Sequence, residues 1–317
     1  VTSDSWAVQF HRYGDPDVLI RDTVPAEHAG VGQVRVRVAA VGVNRIDLVV
    51  RAGILRTQGF GFPKGTGFDV VGIVDEVGAG IGDTVVGAVV WGCLGLEPLR
   101  RRGTLSEFVI LTCEQYAVLP TRDLDPGLAA LPLAALTALA CLRDSLRVLP
   151  GDRVLIVGAG GGVGTAAIQI AGILGAVPVA ICGQSNMAPC RDLGAQEVYD
   201  YAQTRPSDIP GQFAAVLDTA GVDTTAYQSA LDRSGRIVCT AADAWLRMLP
   251  GALMREPRIR LLSAGPSRRD LAWLATQVGE GRLRPVVDRM YGIDEIRQAH
   301  QDSSGPHAAG RRIVVVD

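Results

Sequence analysis

Apolar residues alternate strictly with arginine in Val34-Arg-Val-Arg-Val38, the two-residue period of a strand with one buried face. Comparable short runs at 72–77, 85–90 and 108–111 are punctuated by glycine. Together they predict a compact, barrel-like β-domain over roughly residues 6–118. After Pro120 the pattern changes. Apolar runs at 154–157, 179–182, 197–199, 214–217, 236–240 and 259–262 alternate with stretches of helical period. That alternation marks a doubly wound parallel sheet. A helix over 271–278 then leads through Gly279-Glu-Gly281 to extended segments, and the last predicted strand, 313–316, is expected to return to the first domain. The expected division is therefore 1–121 with 264–317 in one domain and 122–263 in the other.

One segment carries most of the chemistry. The buried-strand pattern at 154–157 runs into Gly158-Ala-Gly-Gly-Gly-Val-Gly164 and then into a helical pattern over 165–174. A strand, a glycine turn and a helix in that order aim unpaired backbone N–H groups and the positive end of a helix at one point, which suits a pyrophosphate. Gly158 and Gly160 permit the tight turn, Gly161 and Gly162 let phosphate oxygens approach, and Gly164 lets the helix close on its strand. The spacing is not the strict G-x-G-x-x-G, because Val163 falls where the last glycine would stand. The following strand arrives at βαβ distance, which supports the nucleotide reading over a simple turn.

Composition narrows the field. With 317 residues, two domains are the natural expectation. A net charge of −2 and the lack of a basic stripe interleaved with aromatics argue against nucleic acid as a partner. Asp4, His11 and Arg12 interrupt the N-terminal segment, so no signal peptide is expected; the apolar stretch 128–142 is broken by Pro132 and falls short of a membrane span. A cytoplasmic protein is expected. The six cysteines are scattered without a C-x-x-C, which reads as buried thiols rather than a disulfide framework or a metal site.

Seven motifs fall in the order seen in medium-chain dehydrogenases/reductases. They are Val41-Gly-Val-Asn-Arg-Ile-Asp47, Gly67-Phe-Asp-Val-Val-Gly72, Gly82-Asp-Thr-Val85, the glycine turn, Leu193-Gly-Ala195, Val216-Leu-Asp-Thr219 and Gly281-Arg-Leu-Arg-Pro285. The chain resembles in particular the zinc-free quinone oxidoreductase branch, which includes polyketide enoyl reductases. The resemblance implies an α/β fold: a GroES-like β-barrel catalytic domain plus a Rossmann domain with a doubly wound parallel sheet. Where zinc-dependent cousins place Cys, His and a further Cys, this chain has Asn44, Phe68 and Leu133. None of these supplies a thiolate or imidazole ligand, so no metal is expected. Only Cys93 lies where those cousins carry four closely spaced cysteines.

The resemblance also assigns residues. Asn44 matches an asparagine beside the nicotinamide ribose and carboxamide, with a capping asparagine as the plainer reading. Asp47, three residues on, either orients Asn44 or pairs with Arg51. Thr137 matches a threonine facing the nicotinamide amide; a helix-interior hydroxyl bonded to its own backbone is equally open. Asn44, Asp47 and Thr137 form the expected catalytic set. The expected coenzyme set is Asn44, Thr137, Gly160, Gly161, Gly162, Val163, Gly164, Gly183, Ser185, Asn186, Tyr201, Thr240 and Arg311. After Cys182 the chain reads Gly-Gln-Ser-Asn186, with nothing acidic to repel a 2′-phosphate. NADPH is therefore expected over NADH.

Hydride transfer to a quinone or an α,β-unsaturated carbonyl of a small molecule is the implied reaction, and the branch's polyketide enoyl reductases imply a polyketide-type tailoring enzyme. Many relatives carry a tyrosine at one of two positions where this chain has Val49 and Leu55, so the proton donor is not identified. Two other readings stay open: a dinucleotide-binding protein with little turnover, and an unconventional cyclising or redox-neutral enzyme on the same scaffold. A homodimer is implied by the resemblance alone.

Overall fold

The computed structural model describes residues 4–55, 61–95, 102–241, 265–305 and 309–316, with the backbone of 259–260. The chain divides into two compact units. The first comprises Val1–Leu133, Gly265–Pro306 and Arg311–Asp317; the second comprises Ala134–Ala264 and His307–Gly310.

In chain order the first unit begins with β1 (Asp4–Phe10), β2 (Ile20–Pro25), β3 (Gln33–Val43) and helix α1 (Arg45–Arg51). It continues through β4 (Lys64–Gly65), β5 (Asp69–Val77), β6 (Val89–Cys93), β7 (Phe108–Thr112) and β8 (Tyr116–Val118). Helix α2 (Pro132–Leu139) leads into the second unit, which holds β9 (Arg153–Val157), α3 (Gly162–Ile173), β10 (Val177–Cys182) and α4 (Met187–Asp192). Its remaining strands are β11 (Glu197–Asp200), β12 (Phe213–Asp218), β13 (Leu231–Cys239) and β14 (Ile259–Arg260). The chain then returns to the first unit with α5 (Arg268–Gly279), β15 (Val287–Gly292), α6 (Ile296–Asp302) and β16 (Arg311–Val315).

Strand β3 organises the first unit. It lies in the order β15-β16-β3-β5-β6-β8, with β7 also paired to it, and β2-β1-β4 forms a second, smaller sheet. The alternation read at 34–38 is realised: Val34, Val36 and Val38 are buried with Val70, Val74, Val90 and Leu111 in one apolar cluster. Each such side chain removed from water contributes roughly 1.5–3 kcal/mol. The arginines between them point outward, where Arg35 pairs with Asp75 at 2.5 Å. As expected, the last strand rejoins this sheet, with Ile313 opposite Gly42 of β3.

The second unit is a six-stranded parallel sheet in the order β11-β10-β9-β12-β13-β14. Leu155, Val179, Val216 and Ile237 form its dry interior. This is the doubly wound, Rossmann-type arrangement that the alternating pattern predicted.

Three expectations change. The strand expected at 85–90 starts only at Val89, because Val85 and Val86 sit in a turn and are 66% and 63% exposed. The first unit extends to Leu133 rather than 121, since the 3-10 turn Pro126–Ala130 packs on β3, where a Cβ at Gly42 would lie 2.5 Å from the Ala129 carbonyl oxygen. Only the start of the strand expected at 259–262 is described; 261–264 lie outside the described residues. The cysteines are all free, and all but Cys113 are buried. Among the described residues no helix is long and apolar enough to cross a membrane.

His300 on α6 belongs to packing. It is 1% exposed, and burial beside the Arg51 guanidinium pushes its pKa down to about 3. A folded-state pKa below the unfolded value means that the unfolded chain takes up the proton first as pH falls. Its contribution to stability is thus whole above about pH 6.5 and is lost toward pH 3, at up to about 1.4 kcal/mol per pH unit. Thermal melts between pH 7 and pH 4 should show a smaller loss of midpoint in His300→Leu than in the parent; equal losses would exclude His300 as the source.

Candidate active site

In the second unit β9 ends at Val157, and Gly158 turns the chain with φ +76°, a conformation glycine alone adopts without strain. The backbone N–H groups of Gly158 and Ala159 both donate to the Ile181 carbonyl, at 3.0 and 2.9 Å, which ties the turn to β10. Gly161 caps α3 and accepts from Thr165 N at 2.8 Å. The first-turn amides of α3, on Gly162, Val163 and Gly164, have no preceding helical carbonyl to bond, and they share the positive end of the helix.

The glycines divide their work much as read from the sequence. A Cβ on Gly164 would lie 2.5 Å from the Gly158 carbonyl oxygen and 2.6 Å from Ala159 Cα, so helix and strand close only because it has none. A Cβ on Gly160 would meet the side chain of Asn186 at 2.5 Å. A Cβ on Gly161, by contrast, would meet nothing nearer than the Gly158 carbonyl oxygen at 3.5 Å, which leaves that face open to a ligand. Gly310 N donates to the Gly160 carbonyl at 2.8 Å. Thr219 closes the turn from the next strand, its hydroxyl donating to the carbonyls of Val157 and Gly158 at 2.9 and 3.0 Å. In the sequence the signal for this role is a hydroxyl just beyond an apolar strand, at the end of the Val216–Thr219 motif.

At the end of β10 the chain passes from Cys182 to Gly183, and Tyr201 N donates to the Cys182 carbonyl at 3.1 Å. The Tyr201 ring lies against Gly183, where a Cβ would sit 3.3 Å from Cε1, and is itself 67% exposed. Ser185 is exposed, whereas Asn186 is buried against Gly160. Thr240 N is bonded to the Asp218 carbonyl at 2.9 Å. Thr137 is a buried residue of α2. Asp200, opposite Cys182 on β11, is an acidic group the sequence reading passed over; its Oδ1 accepts from Ala202 N at 2.9 Å.

In the first unit β3 delivers Asn44, 2% exposed, to the start of α1. Asp47 forms one half of a capping box. Its Oδ2 accepts from Asn44 N at 2.8 Å, while Asp47 N bonds to the Asn44 backbone carbonyl at 3.0 Å rather than to its side chain. Asp47 Oδ1 accepts from Gly67 N at 2.7 Å and Thr66 Oγ1 at 3.4 Å. The Asp47–Arg51 pair is therefore not formed, and Arg51 Nη1 donates instead to the Gly14 carbonyl at 2.8 Å. With both oxygens bonded to the surrounding chain, Asp47 acts as a clamp on Asn44 and the Gly67 loop, which is the orienting reading of the two offered by the sequence and not the pairing with Arg51.

Asp69, wholly buried, divides its carboxylate. Oδ2 accepts from Asn44 Nδ2 at 2.8 Å and Oδ1 from Leu133 N at 2.6 Å. Asn44 Nδ2 also donates to the Gly42 carbonyl at 3.2 Å. Burial is the largest influence on both acids, pushing Asp47 up to about 6 and Asp69 up to about 7, against the pull of the Arg311 guanidinium. Two carboxyls facing one guanidinium favour retention of a proton on the cluster near neutrality. Asn44 Oδ1 and Arg311 Nε are buried without a hydrogen-bond partner. Val49 and Leu55, where a phenol was sought, are both partly buried.

Among the described residues no group of three or more His, Cys, Asp or Glu side chains is placed to hold a metal ion. The positions compared with zinc ligands carry an amide already bonded through its nitrogen, the buried phenyl ring of Phe68 and the aliphatic Leu133. That donor set does not fit zinc. The glycine turn does fit a dinucleotide, by the closeness of its packing and the face left open at Gly161.

Comparison with known proteins agrees with this architecture. Residues 30–122 match the model of the alcohol dehydrogenase GroES-like domain, and residues 193–314 match that of the zinc-binding dehydrogenase family. The chain is 34% identical to a 2-haloacrylate reductase of a Burkholderia species over 71% of this chain and 69% of that protein. It is 29% identical to the mitochondrial NAD(P)H oxidoreductase RTN4IP1 of Mus musculus, covering 98% of this chain and 89% of the relative. The quinone oxidoreductase structure from Coxiella burnetii superposes with a TM-score of 0.88 at 27% identity, over 99% of this chain and 100% of the other. Shared architecture, both domain families and a relative at this identity lead to one conclusion: the chain belongs to the medium-chain dehydrogenase/reductase superfamily, in its quinone oxidoreductase-like branch.

Proposed function

We propose that this oxidoreductase is a zinc-independent, NADPH-dependent enzyme that transfers hydride to a quinone or to an alkene conjugated with a carbonyl. The observation that carries the reading is the glycine turn at 158–164, whose backbone packing excludes a Cβ at Gly164 while Gly161 stays open beside the first amides of α3. The reduced nicotinamide, when bound, supplies the hydride. The chain's own part is to hold the diphosphate on the amides of Gly162, Val163 and Gly164 at the positive end of α3.

An acceptor that is already electron-poor needs no Lewis acid, in keeping with Asn44, Phe68 and Leu133 at the positions compared with zinc ligands. The names of the relatives point the same way: a haloacrylate is a conjugated alkene, and a quinone is a conjugated dicarbonyl. NADPH is favoured because no acidic side chain stands among residues 183–186 and Ser185 is exposed there. Without a phenol at 49 or 55, an acceptor whose oxyanion takes its proton from solvent suits the site better than one needing protonation at carbon.

The test is coenzyme titration followed by turnover with quinones, enones and acyl thioesters. We expect saturable binding, tighter for NADPH than for NADH, and oxidation fastest with quinones or activated alkenes. Tight binding with every acceptor inert would replace the reductase by a binding protein. Equal or better affinity for NADH would reverse the coenzyme preference, and stoichiometric zinc on elemental analysis would overturn zinc independence.

A further inference from the structure

Helix α4 is seated on its sheet by one fully buried side chain, that of Cys190. A helix of six residues has little cooperative strength of its own, so this one contact holds it in place. The contact is with a second thiol. Cys190 is hydrogen-bonded to Cys182, the last residue of β10, and the two are 0% and 2% exposed. Both are free.

The pair is not symmetric. The hydrogen bond from Cys190 holds the Cys182 thiol below its ordinary pKa, while the same bond, together with burial, pushes the Cys190 thiol up. Cys182 is the sulfur that ionises and Cys190 the one that keeps its proton. A thiolate is the nucleophile in sulfur oxidation, and a thiol already touching it is the group that completes a disulfide. Cys141, which lies near Cys239, differs: burial pushes its thiol up to about 12, so it stays protonated. Burial shields Cys182 and Cys190 only while α4 is seated. Segments with few buried contacts open locally at a fraction of the cost of global unfolding, and α4 has one such residue to release.

We propose that Cys182 and Cys190 form a reversible disulfide when the protein meets a hydroperoxide. The Cys182 thiolate attacks the outer peroxide oxygen; an S–O bond forms, the O–O bond breaks, and the departing alkoxide or hydroxide takes up the proton that Cys182 released. Cys190 Sγ then attacks the sulfenic sulfur as α4 reseats. The S–S bond forms, the S–O bond breaks, and hydroxide leaves as water with the Cys190 proton. Both electrons come from the thiols and both go to the peroxide.

Closing the bond draws the sulfurs from hydrogen-bond contact to about 2.05 Å. The segment between the two cysteines carries Asn186, which is buried with its Nδ2 2.5 Å from where a Cβ on Gly160 would lie. The bridge tightens that segment against the glycine turn, and coenzyme affinity falls. This consequence rests on the dinucleotide reading above; the bridge does not.

The test is hydrogen peroxide treatment followed by thiol counting and non-reducing peptide mapping. We expect the six free thiols of the parent to fall by two, a linked 182–190 peptide, and recovery of both thiols with dithiothreitol. Cys190→Ala keeps an apolar seat for α4 but removes the resolving thiol, so Cys182 should pass on to irreversible sulfinic acid. Cys113→Ser, at the one cysteine that is not buried, should leave the bridge intact. Oxidised parent should bind NADPH about 10-fold more weakly, with affinity restored by dithiothreitol. Survival of both thiols under peroxide that oxidises Cys113, or a bridge joining other cysteines, overturns the proposal. A 182–190 bridge with unchanged NADPH affinity overturns its hold on the glycine turn. No NADPH binding by the reduced parent would instead count against the dinucleotide reading and leave the bridge standing.

Discussion

Gly164→Val should leave a folded protein that no longer binds a nicotinamide coenzyme. At this position even a Cβ meets the Gly158 carbonyl oxygen at 2.5 Å and Ala159 Cα at 2.6 Å, and both are backbone atoms that cannot rotate aside. The first turn of α3 must therefore lift from the end of β9, carrying the amides of Gly162 and Val163 with it. Overpacking of this kind costs about 1–3 kcal/mol, and coenzyme affinity should fall by more than about 100-fold because every phosphate donor shifts at once. Circular dichroism and coenzyme fluorescence titration together check the outcome. Gly161→Ala is the internal control: its Cβ would have nothing nearer than 3.5 Å, so the fold should be untouched and only the approach of the ligand impeded. A Gly164→Val protein with parental affinity would remove the glycine turn from the site.

Asp47→Ala should give the largest loss of stability among single changes at the site. Its carboxylate holds two backbone N–H groups, those of Asn44 and Gly67, at 2.8 and 2.7 Å. Deleting it leaves both donors buried and unbonded, at a cost of about 1–3 kcal/mol each, and leaves Arg311 with Asp69 alone for compensation. A fall in thermal midpoint of about 10 °C follows for a chain of this size. Asp47→Asn keeps one acceptor oxygen and should fall between parent and alanine variant. Equal melting of Asp47→Ala and the parent would show that the Asn44 turn is held by other means, and the clamp assigned to Asp47 would be withdrawn.

Much of the fold was legible because it is written in local periods. The alternation at 34–38 and the apolar runs of the second unit each report which faces meet the core, and the structure places the described strands close to those positions. Where local pattern misled, the missing information was spatial. Val85 and Val86 look like the start of a strand, yet β6 pairs with β5 only from Val89, so the two valines are left in a turn. The boundary expected near 121 moved to Leu133 because the 3-10 turn at Pro126–Ala130 packs against β3, a contact between segments far apart in sequence.

The site divides in the same way. The sequence by itself determined the glycine turn, since the order strand, glycines, helix is local and the amides it exposes belong to consecutive residues. It also determined that Asn44, Phe68 and Leu133 offer no zinc ligand set, because that follows from side-chain type. The tertiary structure alone decided what Asp47, Asp69 and Arg311 do. Their partners lie on strands and loops distant along the chain, and a carboxylate's task depends on which N–H groups surround it. From sequence Asp69 is one acid among several; folded, it is the group that holds both the Asn44 amide and the Leu133 N–H.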